Sequence, residues 1–158
     1  MKHKEMSRIL KAIDAVTALA CLALAFLVLP PTAQARFDVA GMDWLYLPFL
    51  AFTWVGILPF VALAVIAWGV FSDIGRDNSF SLRNAARLRV MGYIAACDTL
   101  VWLCALVFFA WVRFPASVII ITVAAAIALC VILAVVCVSL SHLTAKAALL
   151  KAENDLTV

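Results

Sequence analysis

An all-α integral membrane fold, a four-helix bundle with both chain ends in the cytoplasm (N-in/C-in), follows from three observations. Of 158 residues, 68% are hydrophobic, against about 45–50% in soluble domains, and only 13% are charged. The apolar residues gather in four stretches, each long enough for the helix of ~20 residues that crosses a hydrocarbon core ~30 Å thick. Val118 to Val138 carries apolar residues on every face, which excludes the in/out alternation of a transmembrane barrel. The length allows a single membrane domain, residues 1–158.

The first span covers about residues 9–29, with an uninterrupted apolar core from Ala15 to Leu29. Its basic start and the later Ala33-Gln34-Ala35 resemble a secretory signal with a small-residue cleavage site. The apolar stretch is longer than a signal core, and Asp14 stands at its start, so the helix is expected to be retained. The second span, about 45–71, lies in Trp44 to Ser72, where no residue is charged. Pro48 and Pro59 recur there in the tripeptide Leu-Pro-Phe. Pro48 suits a first helical turn, whereas Pro59 removes a backbone hydrogen bond and is expected to kink the helix. The third span, about 88–112, contains Asp98. The fourth, about 118–143, lies in Phe114 to Ala145, where no residue is charged and His142 is the only titratable side chain besides the cysteines. A cytoplasmic loop, 72–87, and a cytoplasmic tail, 144–158, complete the chain.

Orientation follows from the Lys and Arg of the flanks, which stay in the cytoplasm. Lys2, Lys4, Arg8 and Lys11, then Arg76, Arg83, Arg87 and Arg89, then Lys146 and Lys151 fall on one side, and only Arg36 and Arg113 on the other. Trp44, Tyr46 and Trp111 fit an outer aromatic belt and Trp68 an inner one. These flanks account for the net charge of +3, so direct contact with nucleic acid is not expected. Cys21, Cys97, Cys104, Cys130 and Cys137 all fall inside spans without a CxxC or paired histidines, and are read as small apolar residues at close helix contacts rather than as disulfides or metal ligands. Small residues at three- and four-residue steps, Ala126, Cys130, Ala134, Cys137 and Ser141 in the fourth span, with Gly92 and Ala96 in the third, point to close helix packing.

Asp98 carries the most chemical information. It lies about ten positions into its span, roughly 15 Å deep at the helical rise, with no Lys or Arg at matching depth. Intramembrane acids face the bundle interior and mark ion paths or polar contacts. Without a counter-charge the carboxyl is expected to be neutral and to donate a hydrogen bond, with Thr17 or a backbone carbonyl as acceptor. Met91, Ala95, Asp98, Trp102 and Ala105 share one stripe, which is expected to face inward. Asp14 lies nearer the cytoplasmic edge, within reach of Lys11 or His142. In the middle loop Ser81 is a candidate N-cap for a helix continuing into the third span, placing Arg83 and Arg87 one turn apart, where anionic lipid contributes ~1 kcal/mol per arginine.

The run Asp77-Asn78-Ser79-Phe80-Ser81, followed by Asn84 and Leu88-Arg89, together with the ending Glu153-Asn154-Asp155-Leu156-Thr157-Val158, resembles the signatures of the domain of unknown function 2975 family. Ser79 stands where many relatives carry proline. The resemblance implies a small bacterial four-helix membrane protein with no established activity. It also implies a cytosolic partner, because such proteins are often encoded beside a small helix-turn-helix regulator.

No serine-histidine-acid set, phosphate loop or metal cluster occurs in the sequence, so no catalytic residue, cofactor or metal is expected, and the chain is not read as an enzyme. Two functions remain. One is a bacterial inner-membrane regulatory or interaction module that meets lipid and its partner through Asn78, Phe80, Arg83, Asn84 and Arg87 of the loop and Asn154, Asp155 and Leu156 of the tail. The other is a homo-oligomeric transporter or channel-like subunit with Asp98 as its protonatable site; Asp98, Asp14 and Thr17 are the candidate intramembrane polar residues.

Overall fold

A computed structural model of the chain describes residues 3–113 and 117–155. Helix α1 (His3–Ala23) passes through a π-helical turn (Leu24–Val28) into α2 (Leu29–Ala40), and a short 3-10 turn (Asp43–Leu45) leads to α3 (Tyr46–Gly75). Helices α4 (Leu82–Trp111) and α5 (Ser117–Asp155) complete the molecule. No strand occurs among the described residues. Four stretches are long and apolar enough to cross a membrane: Lys4–Val39, Asp43–Gly75, Leu82–Trp111 and Ile119–Asn154.

These helices are longer than the expected spans, for local reasons. Pro30 and Pro31 do not end the first helix. They occupy the first turn of α2, where an N–H is dispensable, and the preceding wide turn resets the hydrogen-bond ladder. Ala33-Gln34-Ala35 therefore lies inside a helix, with Ala33 buried. Helix α2 stops at Gly41, whose φ of 65° is left-handed. The Gly41 and Met42 amides donate back to the carbonyls of Asp38 and Phe37 at 3.1 Å each, the Schellman closure that favours glycine. Pro48 lies in the first turn of α3, and the same helix runs unbroken past Pro59. Ser81 caps α4, its hydroxyl accepting from the Asn84 amide at 3.3 Å, so the connection between α3 and α4 is only residues 76–81. Helix α5 has neither Gly nor Pro and extends to Asp155, so the expected tail is helical as far as the described residues reach.

The helices pack in chain order, α1 on α3, α3 on α4 and α4 most extensively on α5, while the backbones of α1 and α5 make no close approach. The bundle is thus open along one side. Lipid tails are as apolar as leucine, so close backbone approach takes the place of hydrophobic collapse in holding the helices together. Gly92 supplies it between α4 and α5: a Cβ there would lie 2.6 Å from Val138 Cγ2. Ser141 donates to the Ala85 carbonyl at 2.7 Å across the same seam. Ala96, counted with Gly92 in the expected row of small residues, lies instead on the exposed face. Between α1 and α3, Ser7 donates to the Phe71 carbonyl at 2.5 Å beside Gly75.

The two ends differ. One holds the start of α1, the far end of α5 and the 76–81 connection, with most of the Lys and Arg of the described residues; it is called the basic end below. At the other, Phe37, Leu45, Phe49, Phe109, Ile119 and Val123 form a buried core, with Phe49 in ring contact with both Phe37, at 5.5 Å, and Phe109, at 5.9 Å. Trp44 and Trp111 at this aromatic end are exposed, as an interfacial belt requires.

Candidate functional site

Two polar regions stand out, one inside the apolar zone and one at the basic end. The first is the open side between α1 and α5. The inward stripe of α4 is as expected: Met91, Ala95, Asp98 and Ala105 are buried, Asp98 to 5% exposure, and Trp102 flanks it. Asp98 Oδ2 accepts from the Cys130 thiol at 3.4 Å. The Trp102 side chain is a second hydrogen-bond partner of this carboxyl, and Oδ1 has no partner among the described residues. Thr17 is not that partner; it lines a neighbouring cavity on the exposed side of α1.

Asp98 forms part of the wall of a cavity of about 290 Å³ between α1, α3, α4 and α5, with Phe60, Trp102, Leu129 and Cys130 among its other walls. A second cavity of about 250 Å³, towards the basic end, is lined by Asp14 and Thr17 and shares Phe60, Leu63 and Leu133 with the first. Cys21 on the first and Asp14 on the second are seven residues apart on α1, about 10 Å along the axis. The three intramembrane candidates, Asp98, Asp14 and Thr17, therefore line two adjoining cavities with three wall residues in common. Lys11 does not pair with Asp14: its ammonium lies 5.3 Å from the centre of the Trp68 ring. His142 is exposed on α5.

The second region is the connection at the basic end. The chain leaves α3 through Asp77 in the left-handed region, φ 59°, which aspartate occupies at lower cost than most residues. The buried Asn84 side chain then donates to the carbonyls of Asn78, at 3.2 Å, and Ser79, at 3.3 Å. Arg87 bonds the buried Asp73 carboxylate at 2.6 Å and Asn84 Oδ1 at 3.2 Å. Of the loop residues expected to meet a partner, Asn84 and Arg87 thus turn inward and hold the loop. Asn78, Phe80 and Arg83 face outward, joined by Leu82. Asn84→Ala is expected to loosen the loop by about 1–2 kcal/mol, because it removes two hydrogen bonds to half-buried or exposed carbonyls, each a net contribution of about 0.5–1.5 kcal/mol. Tryptic cleavage after Arg76 and Arg83 should accelerate; an unchanged rate would show that the loop holds without this side chain.

The tail residues lie elsewhere. Asp155 ends α5 fourteen residues beyond Ser141, which touches Ala85 at the base of α4. At the helical rise that is about 21 Å. Loop and tail therefore form two separate surfaces, and Leu156 lies outside the described residues. Among the described residues no cluster of three or more His, Cys, Asp or Glu side chains could hold a metal.

Sequence reasoning missed the role of Cys130. The antiparallel register was available in the small residues: Gly92 facing Ala134 and Val138, and Ala85 facing Ser141, put Cys130 opposite Asp98.

Together these features define a small α-helical membrane protein with four candidate spans. Residues 32–158 match the model of the family described as a protein of unknown function (DUF2975), and the chain belongs to that family. The match begins inside α2 and leaves α1 outside it. No curated protein and no solved structure matches the chain.

Proposed function

We propose that this protein is a bacterial inner-membrane interaction module, not an enzyme, with its basic end in the cytoplasm and its first helix retained. The observation that carries this reading is the construction of the basic end. A short loop is braced from within by Asn84 and by the Asp73–Arg87 pair, so that Phe80, Leu82 and Arg83 are presented outward, while α5 projects past it as a continuous helix. Exposed apolar side chains beside arginines suit a protein partner or an anionic lipid surface. The excess of Lys and Arg at this end supports the orientation. The helix-turn-helix regulator implied by the family resemblance is the proposed partner, held at the membrane in a regulatory complex.

Affinity recovery from membranes in mild detergent tests this. A DNA-binding protein should be recovered with the full chain, and lost both on truncation after Leu143 and with Phe80→Ala in the loop. Identical recovery from all three would overturn the proposal.

A second reading is favoured by the unpartnered Asp98 Oδ1: a small oligomeric transporter or channel-like subunit that carries a proton on this carboxyl. Asp98→Asn should then abolish a proton-coupled flux in vesicles, and full flux in that variant would remove the reading.

A further inference from the structure

We infer that the Asp98 cavity is a binding site for a small lipophilic monocation, a protonated amine on an apolar or aromatic body. Three observations support it. Asp98 is 5% exposed, and one of its two carboxylate oxygens has no partner among the described residues. No Lys, Arg or His lines the cavity, so no cation of its walls balances Asp98 when the carboxyl ionises. The remaining walls are apolar, with Phe60 and Trp102 presenting aromatic surface.

A buried acceptor left unmatched is costly, and more so when it is charged. Its natural complement is therefore a donor that also brings positive charge. A lipid acyl chain entering the groove between α1 and α5 would cover the apolar walls and leave Oδ1 as it is. So would an apolar helix of a second copy. An ammonium group satisfies the oxygen and the charge together, and its body meets the aromatic walls, where cations gain a further attraction. The volume of about 290 Å³ lies at the small end of ligand pockets, which suits a single-ring amine. The lack of close approach between α1 and α5 leaves the cavity open from the side of the bundle. The Asp14 cavity adjoins it towards the basic end. This inference is independent of the cytosolic partner and requires binding alone, without flux.

The test is equilibrium dialysis of radiolabelled 2-phenylethylamine, a cation at neutral pH, against the full chain in phosphatidylcholine nanodiscs, with empty nanodiscs as the blank. Its neutral counterpart is 2-phenylethanol, of similar size. The amine is expected to bind the native chain about thirtyfold more tightly than Asp98→Asn, the lower end of what losing one partner of a desolvated charge pair costs. The alcohol should bind both chains alike. Ala126→Phe, which leaves the carboxyl in place and fills the cavity from the α5 wall, should also remove amine binding. Equal binding of amine and alcohol to the native chain would overturn the inference, as would amine binding unchanged by Asp98→Asn. Amine binding retained in Ala126→Phe would place the amine elsewhere and overturn the site. Chromatographic monodispersity and melting midpoint of each variant separate loss of the ligand from loss of the fold.

Discussion

Gly92→Leu is expected to lower stability by about 3 kcal/mol, the upper end of what overpacking a close contact costs. Even the first added carbon would lie 2.6 Å from Val138 Cγ2 and 3.3 Å from the Ala134 carbonyl oxygen. Val138 can turn away, but a backbone carbonyl cannot, so α4 and α5 must separate. That separation also lengthens the Ser141 hydrogen bond and the Cys130 contact with Asp98, which lie along the same seam. Thermal denaturation of the protein in detergent, followed by size-exclusion chromatography, reads the effect. Ala96→Leu is the matched control. Ala96 is one turn further along α4 on the exposed face, and the same substitution there should leave the melting midpoint unchanged. Equal losses from the two variants would show that α4 and α5 do not meet at Gly92.

Arg87→Met is expected to cost a similar amount for a different reason. The Asp73 carboxylate is 8% exposed and has the Arg87 guanidinium at 2.6 Å. Removing the cation leaves a buried charge without its partner, which costs about 3 kcal/mol. Asn84 Oδ1 loses a donor as well. The double variant Asp73→Asn with Arg87→Met should recover part of the loss, because the uncompensated charge is then gone. A double variant no better than the sum of the single changes would mean that the pair is not coupled. If Arg87 instead served only as a lipid anchor, its loss would weaken binding to anionic vesicles and leave the melting midpoint unchanged.

The fold was readable where physics depends on composition and periodicity alone. Hydrocarbon thickness picks out the four spans, and the cost of a charge in lipid turns the Asp98 stripe inward. Ser81 was legible as a cap because its hydroxyl suits the free N–H groups of a helix start. What could not be read depended on contacts between distant parts of the chain. Pro30 and Pro31 look like a helix end, yet each lies where a helix start tolerates proline, and only the wide turn before them reveals that. Asn84 and Arg87 look like exposed polar residues of a basic loop. Their inward role follows from Asp73, a carboxylate at the far end of another helix whose burial leaves no trace in local pattern. The two cavities were legible in part. Asp98, Asp14 and Thr17 were each visible as polar residues in apolar surroundings, but their common wall exists only because α1 and α5 stay apart.

The length of α5 has a mechanical corollary. From Cys130, beside Asp98, to Asp155 the helix runs without Gly or Pro for twenty-five residues, about 38 Å. If α5 pivots as a rod at Cys130, each degree of tilt sweeps its far end through about 0.7 Å at that helical rise. A rearrangement of a few degrees around the buried carboxyl, smaller than a side-chain rotamer change, would displace the tip by the width of an atom. Leverage of this kind converts a sub-ångström event in the hydrocarbon core into a change of position measurable by a spin label or fluorophore at Lys151.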